Sequence, residues 1–410
     1  MTAEILSVGT ELLLGNIVDT NAAFLSQELA GLGVSVYRQT TVGDNHKRLF
    51  NALKHAFEDA DMVIISGGLG PTQDDITKAV AAEYFGQELV LHEESVRRIE
   101  KRFAGRELPV NVNRNAIIPE NSHALPNDNG SAPGVIIEDN DKILILLPGP
   151  PHEMTPMFTN HVVPFLRKKS EEVFVSRTLK IIGLGESKIE DMLSDLITAQ
   201  TNPTIAPYAK VGEVHVRLTA SAKSEAAAEE LIAPLSAEIG KRLAPHVYSD
   251  NGQSLPEVVV NLLKSKNHTL AVAESCTGGL IMSKLVSVPG CSSVILEGMC
   301  TYSNEAKIAR LGVCASLIEA HGAVSPEVAA SMAECVAKTS GATIGIATTG
   351  IAGPDGGTPD KPVGLVYIGL CVNGKTKTAK FNLTGSRNEV RIRSANLALD
   401  FLHLNVSSLK

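Results

Sequence analysis

The sequence predicts an α/β protein of several domains, and three observations lead there. Its 410 residues exceed what one ordinary hydrophobic core accommodates. In the first and last parts, strand-like apolar runs alternate with helix-periodic stretches. That order builds parallel sheets covered by helices, with ligands at the carboxyl ends of the strands. Between them lies a shorter stretch of different pattern, closed by the polar, turn-rich run Ser249-Asp-Asn-Gly-Gln-Ser254. Domains are therefore expected at residues 1–170, 171–249 and 250–410.

In chain order, Ile5 to Val8 is a short apolar strand. Thr20 to Leu32 has helical spacing and is closed by Gly31 and Gly33, and Val34 to Tyr37 is a second strand. Leu49 to Ala60 is helical, and Asp61 to Ile65 is a buried strand running into glycines. Lys142 to Leu147 is a late buried strand, stopped by Pro148-Gly-Pro-Pro151. The middle stretch reads as a small α+β module. It has a strand at Arg177 to Ile182, a helix at Ser187 to Ile197, strands at Thr204 to Pro207 and Val214 to Ala220, and an Ala/Glu-rich helix from Ser224 to Leu243. The last part has strands near 269–273, 294–302, 343–348 and 364–372.

Composition narrows the function. Hydrophobic residues make up 44% and charged residues 20%, as in a soluble globular chain. The net charge of -8 argues against a nucleic-acid partner, which rewards clustered Lys and Arg. Small phosphorylated ligands stay open, because a few backbone amides hold them. The six cysteines are dispersed without a Cys-x-x-Cys pair, as expected of buried thiols in a reducing compartment. No apolar run approaches the roughly 18 residues of a membrane span, and the N-terminus lacks a basic leader, so the protein is expected in the cytoplasm.

Glu274-Ser-Cys-Thr-Gly-Gly279 stands between the strand Thr269 to Ala273 and the helix that begins at Leu280. A nucleophile on such a turn sits beside free backbone N–H groups that stabilise an oxyanion or hold a phosphate. Plain helix capping by Ser275 and Thr277 accounts for the same letters. Spacing does not choose between Ser275 and Cys276, and Cys is intrinsically the better nucleophile. A second run, Thr301-Tyr-Ser-Asn-Glu-Ala-Lys307, ends a strand and opens a helix with Ser303 or Asn304 as cap. Lys307 then stands near the positive helix end, which lowers its pKa; a neutral amine beside the Tyr302 hydroxyl deprotonates a serine in Ser-Lys sites. The Gly-rich connection from Thr348 to Gly364 is too long for a hairpin turn and reads as a ligand loop. By contrast, Gly369-Leu-Cys-Val-Asn-Gly-Lys-Thr376 matches a phosphate loop in letters only, since Asn373-Gly374 lies between alternating strands and no helix follows.

In the first domain, Ser66-Gly-Gly-Leu-Gly-Pro-Thr-Gln-Asp-Asp75 follows a strand and opens a helix. Gly67, Gly68 and Gly70, with Thr72, form a candidate phosphate turn, and Asp74 and Asp75 are candidate ligands for a hard divalent ion. The same two acids also suit a helix dipole without any metal.

The C-terminal runs Ala273 to Gly279, Val288-Pro-Gly290, Thr301 to Lys307, His321-Gly-Ala-Val-Ser325 and Gly350 to Pro359 resemble the C-terminal domain of the competence/damage-inducible protein CinA family, nicotinamide-nucleotide amidases. The resemblance implies Ser275, Tyr302 and Lys307 as the catalytic group and nicotinamide mononucleotide as substrate. Backbone at Cys276, Thr277, Gly278 and Gly279, with Thr349, Gly350, Gly353, Gly356 and Gly357, is expected to bind that substrate. Val8 to Gly15, Asp19-Thr-Asn21, Gly67 to Asp75, Ala132-Pro-Gly134 and Leu147 to Met154 resemble the family's molybdopterin-binding-like three-layer domain. That likeness implies ADP-ribose pyrophosphatase activity with a divalent metal (cobalt, magnesium or manganese) and potassium. Ser66 and Ser131 stand where the family often has Thr, and Asn115 where it has Gln. Ile205 to Glu213 resembles the family's K-homology-like module. The amidase is expected to need no cofactor. Nicotinamide mononucleotide, ADP-ribose and a second copy of the chain, in a homodimer, are the expected partners; a membrane and nucleic acid are not. Two other functions fit the letters: an amidase whose N-terminal domain binds molybdopterin or a nucleotide without hydrolysing it, and a non-enzymatic competence factor acting on DNA.

Overall fold

The computed structural model describes residues 1–104, 112–169 and 172–409. The expected boundary between residues 170 and 171 lies outside the described residues. The chain divides into two compact units, Met1–Val175 with Ser221–Glu229, and Ser176–Ala220 with Glu230–Lys410.

The first unit contains strands β1 (Thr2–Val8), β2 (Ser35–Val42), β3 (Met62–Ser66), β4 (Leu89–Leu91), β5 (Ile117–Pro119), β6 (His123–Leu125), β7 (Gly134–Asp139) and β8 (Lys142–Leu147). Its main sheet has the order β2-β1-β3-β8-β7-β6. The first four strands are parallel, whereas β7 pairs antiparallel with β8 and β6 antiparallel with β7, which corrects the expectation of a parallel sheet. The cause is local. Only Asn140 and Asp141 separate β7 from β8, Asn140 takes a φ of 52°, and so short a turn joins only antiparallel neighbours. One face of the sheet is covered by the helix Thr20–Gly31 through Ala22, Leu25 and Leu29. The Asp19 carboxylate starts that helix by accepting from the Ala22 amide at 2.9 Å. The other face is covered by the helix His46–Asp59 through Leu49, Leu53 and Ala56. Each such leucine stabilises the three layers by about 1.5–3 kcal/mol of apolar burial.

Most of the K-homology-like module lies in the second unit. Its strands are β9 (Val173–Ile181), β10 (Thr204–Lys210), β11 (Glu213–Ala222) and β12 (Val247–Ser249), ordered β10-β11-β9-β12. In β11, Val214, Val216, Leu218 and Ala220 alternate inward, the period of a half-buried strand. Ile182 and Tyr248 join the same apolar core as Leu255 and Val259 of the C-terminal domain.

That domain holds β13 (Leu270–Glu274), β14 (Ile295–Cys300), β15 (Ile344–Gly350), β16 (Leu365–Val372) and β17 (Lys375–Asn382), ordered β14-β13-β15-β16-β17. The first three strands are parallel, β16 pairs antiparallel with β15, and β17 antiparallel with β16. Asn373 and Gly374, with φ of 48° and 78°, turn β16 into β17, so this run is a hairpin and forms no phosphate loop. The helices Leu255–Ser265 and Arg387–Ser407, each opened by a capping box, cover one face, and Pro326–Ser340 covers the other. In register, Glu274 pairs with both Cys300 and Thr348, so the chain leaves three parallel strands at one edge. All six cysteines are free; Cys276 and Cys371 are buried, but Cys300 and Cys314 are exposed, so the expectation of buried thiols holds only in part. Among the described residues, no helix is long and apolar enough to cross a membrane.

Candidate active site

At that edge the backbone first fixes the loop. The Ser275 amide donates to Thr348 O at 3.1 Å and the Thr301 amide to Glu274 O at 2.9 Å. Glu274 is buried, and its carboxylate accepts from the amides of Ile281 at 3.1 Å and Met282 at 2.9 Å. Glu274 therefore caps the helix Leu280–Val286, which has no side-chain cap at its own N-cap residue, Gly279. Capping by Ser275 and Thr277 is thereby corrected. Thr277 instead pairs its hydroxyl with that of Thr348 at 2.8 Å.

Ser275 faces Lys307. The Lys307 side chain is 1% exposed, and its Nζ lies 3.0 Å from Ser275 Oγ, 3.0 Å from Thr301 O and 3.0 Å from Tyr302 O. Ser303 caps this turn by accepting from the Ala306 amide at 3.1 Å. The Lys307 pKa lies below the ordinary lysine value, as expected, but burial is the main cause rather than a helix dipole. A neutral amine has two N–H donors and one lone pair. When Lys307 is deprotonated, the two carbonyls take those donors, which leaves the lone pair for the Ser275 hydroxyl. Cys276 next door is buried, and that pushes its thiol up to about 12, so it stays protonated at neutral pH.

Tyr302 is placed differently from the expectation. Its ring is 60% exposed, and its hydroxyl accepts from Arg387 Nη2 at 3.0 Å; only its backbone carbonyl meets Lys307. Arg387 also donates to Gly353 O at 2.6 Å, and Arg391 Nη2 donates to Thr277 O at 3.0 Å. These two arginines were not singled out from the sequence. The available signal was their i, i+4 spacing on the first turns of the last helix, which puts both on one face. In the Gly-rich connection, Thr349 donates its hydroxyl to Ala323 O at 2.7 Å, Gly350 ends β15, and Gly353 is held by Arg387. Gly356 and Gly357 lie on the exposed part of that loop. Gly278 and Gly279 take φ of 61° and 88°, which turns the chain into the helix.

In the first unit, Gly67 and Gly68 adopt φ of 108° and 70°. A Cβ would sit 2.2 Å from Val8 O at Gly67 and 2.3 Å from Thr77 Oγ1 at Gly68, so both positions need glycine. The following helix, Thr77–Phe85, starts later than the sequence suggests. Before it, Asp75 Oδ2 accepts from the amide and hydroxyl of Thr72, while Asp74 is exposed. Gly70 sits against the Asp75 carboxylate. Lys78 is buried and donates to Asn115 O at 2.9 Å and Arg114 O at 3.3 Å; burial lowers its pKa to about 8. Among the described residues, no group of three His, Cys, Asp or Glu side chains could enclose a metal ion. Two adjacent carboxylates do suit an ion that shares its coordination with a phosphate and water.

Three family models match the chain: "CinA C-terminal domain" over residues 252–406, "Probable molybdopterin binding domain" over 4–168, and "Damage-inducible protein CinA KH domain" over 176–249. A relative from Clostridium acetobutylicum, named as a competence-damage inducible protein, is 52% identical over 411 residues and covers 100% of both chains. Another of that name, from Clostridium novyi, is 54% identical over 404 residues, 98% of each chain. The solved structure of a CinA protein of unknown function from Thermoplasma acidophilum is 36% identical, covers 40% of this chain and 96% of its own, and has a TM-score of 0.38.

Proposed function

The chain belongs to the CinA family of competence/damage-inducible proteins, and on that premise we propose that its C-terminal domain is a nicotinamide mononucleotide amidohydrolase. The observation that carries the proposal is the 3.0 Å approach of a buried Lys307 Nζ to Ser275 Oγ. Ser275 Oγ attacks the carboxamide carbon while Lys307 takes its proton. Backbone amides of the loop that follows the nucleophile would stabilise the developing oxyanion. The C–N bond then breaks, and Lys307 returns the proton to the departing ammonia. Water, deprotonated by Lys307, hydrolyses the acyl-serine to nicotinate mononucleotide. Arg387 and Arg391 supply positive charge beside the loop for the nucleotide phosphate. The test follows ammonia release from nicotinamide mononucleotide: the wild type turns over, and near-normal turnover by Ser275→Ala would sink the proposal.

For the first unit we propose an ADP-ribose pyrophosphatase. The turn offers the N–H groups of Gly68 and Gly70 to the pyrophosphate, while Gly67, its amide on Leu147 O, and Thr72, held by Asp75, fix the shape of the turn. Asp74 and the free oxygen of Asp75 would hold a divalent ion, which when bound neutralises phosphate charge. The grip of Thr72 on Asp75 favours a second reading, in which this unit binds nucleotides without hydrolysing them. Incubation with ADP-ribose and cobalt or magnesium separates the two, because AMP and ribose 5-phosphate form only under the first.

A further inference from the structure

The connection between β15 and β16 is a compact body rather than an open loop. At its neck the Ile351 amide donates to Leu365 O at 2.9 Å and the Gly364 amide to Ile351 O at 2.7 Å. Val363 packs back across the outgoing limb. A Cβ would stand 2.5 Å from Val363 Cγ1 at Gly353 and 2.9 Å from Val363 N at Gly357, so both positions need glycine. The Thr358 amide donates to Lys361 O at 2.8 Å and the Lys361 amide to Thr358 Oγ1 at 3.1 Å, which closes the tip. Residues 354–360 are exposed. A loop with joined ends and its own internal packing moves as one piece.

Two hydrogen bonds tie this body to the rest of the domain, one toward each end. Arg387 Nη1 donates to Gly353 O at 2.6 Å. Farther along, Lys361 Nζ donates to His321 O at 2.7 Å, and Gly322 makes room for it, since a Cβ there would stand 2.9 Å from Nζ. The second anchor is itself joined to the strand end that holds the nucleophile. His321 closes the helix Ala315–His321, and the turn after it is held by the Thr349 hydroxyl on Ala323 O at 2.7 Å. Thr348 O, one residue before, receives the Ser275 amide. The two ties come from opposite faces of the sheet: Arg387 opens the helix Arg387–Ser407 on one, and the 321–325 turn leads into Pro326–Ser340 on the other. With one tie the body pivots about Gly353; with both it is fixed beside the edge where Ser275 stands. We propose that Lys361 is a positioning residue of the amidase: by holding the far end of the connection on His321 O, it presets this wall of the substrate site and so sets substrate affinity. This rests on the amidase reading of the C-terminal domain. A wall in place before binding costs no ordering when substrate arrives, whereas a pivoting wall is ordered at the expense of affinity. Lys361 also caps the helix Ala315–His321, as lysines near helix C-termini do. Capping alone would stabilise the fold and leave KM unchanged.

The experiment is steady-state kinetics of the full chain, following ammonia release from nicotinamide mononucleotide, with Tm recorded for each variant. Lys361→Met keeps the apolar stem and loses the donors; it should raise KM about fivefold or more and leave kcat within about twofold of wild type. Lys361→Arg keeps donors for His321 O and should return KM to within about twofold of wild type. Lys361→Ala repeats the test if the methionine variant does not fold. An unchanged KM, with or without a lower Tm, would assign the lysine to helix capping alone and overturn the inference. So would an equal loss of kcat and kcat/KM, or a failure of arginine to restore KM. If wild type releases no ammonia, the amidase reading fails and the inference falls with it. If wild type turns over and the variants keep its KM, that reading stands and only the inference is lost.

Discussion

Two turns in this protein share one local plan. In each, a buried parallel strand (β3 or β13) ends in a small-residue turn that opens a helix, and a lysine stripped of solvent stands close by. The difference lies in what the lysine touches. Lys307 meets two carbonyls and the Ser275 hydroxyl, whereas the partners of Lys78 are the carbonyls of Arg114 and Asn115. On the proposed functions, the first arrangement poises a proton transfer at Ser275, and the second brings a cation near the candidate phosphate turn. Desolvation lowers both lysines, so a lowered pKa does not reveal chemistry without its neighbour.

The strongest way to break the comparison is to remove each amine in turn. Lys307→Met should lower amidase kcat by about a thousandfold or more, as loss of a general base does, while ADP-ribose binding is retained. Lys78→Met should leave the amidase intact and weaken ADP-ribose binding. An equal response of both activities to either change would contradict the division.

Next comes pH. Lys307 must be neutral to act, and its pKa lies below 10.5, so kcat/KM of the amidase should rise about tenfold per pH unit on a limb that levels off below that value. An amidase profile falling with pH across that range would exclude Lys307 as the base.

Tyr302→Phe sharpens the site itself. The phenol meets Arg387 and not Lys307, so kcat should fall less than about tenfold, with the larger effect on KM. A thousandfold loss of kcat would restore the role in proton transfer that the family resemblance implies.

The smallest effect is on stability. Asp400, in the last helix, is raised to about 6 by burial, opposed by the nearby His246. A folded pKa above the unfolded one means the folded state holds the proton more tightly. The stabilisation is full below about pH 4 and is lost as pH rises through 6. Asp400→Asn should therefore raise stability at pH 7.5 by about 1–2 kcal/mol, read as a higher Tm, with the gain vanishing near pH 4. A constant gain across that range would assign the effect to packing instead.

Much of this was legible because it is local. Apolar periodicity marked β1, β3, β8 and β13, and Asn373-Gly374 announced a hairpin from its own backbone preferences. The turn at Glu274–Gly279 was recognisable as a nucleophile or phosphate turn, and the family motifs named Ser275 within it. Other features depended on distant chain. Lys307 and Ser275 are 32 residues apart, and Tyr302 and Arg387 are 85 apart. No propensity encodes those distances. They follow from three parallel strands ending at one edge, an arrangement that crossovers create and packing holds in register. For the same reason only the tertiary structure showed Glu274 as the helix cap and turned the Tyr302 phenol toward Arg387. Sequence determined which segments could carry chemistry; the fold decided which side chains face each other, because hydrogen bonding and desolvation act across space rather than along the chain.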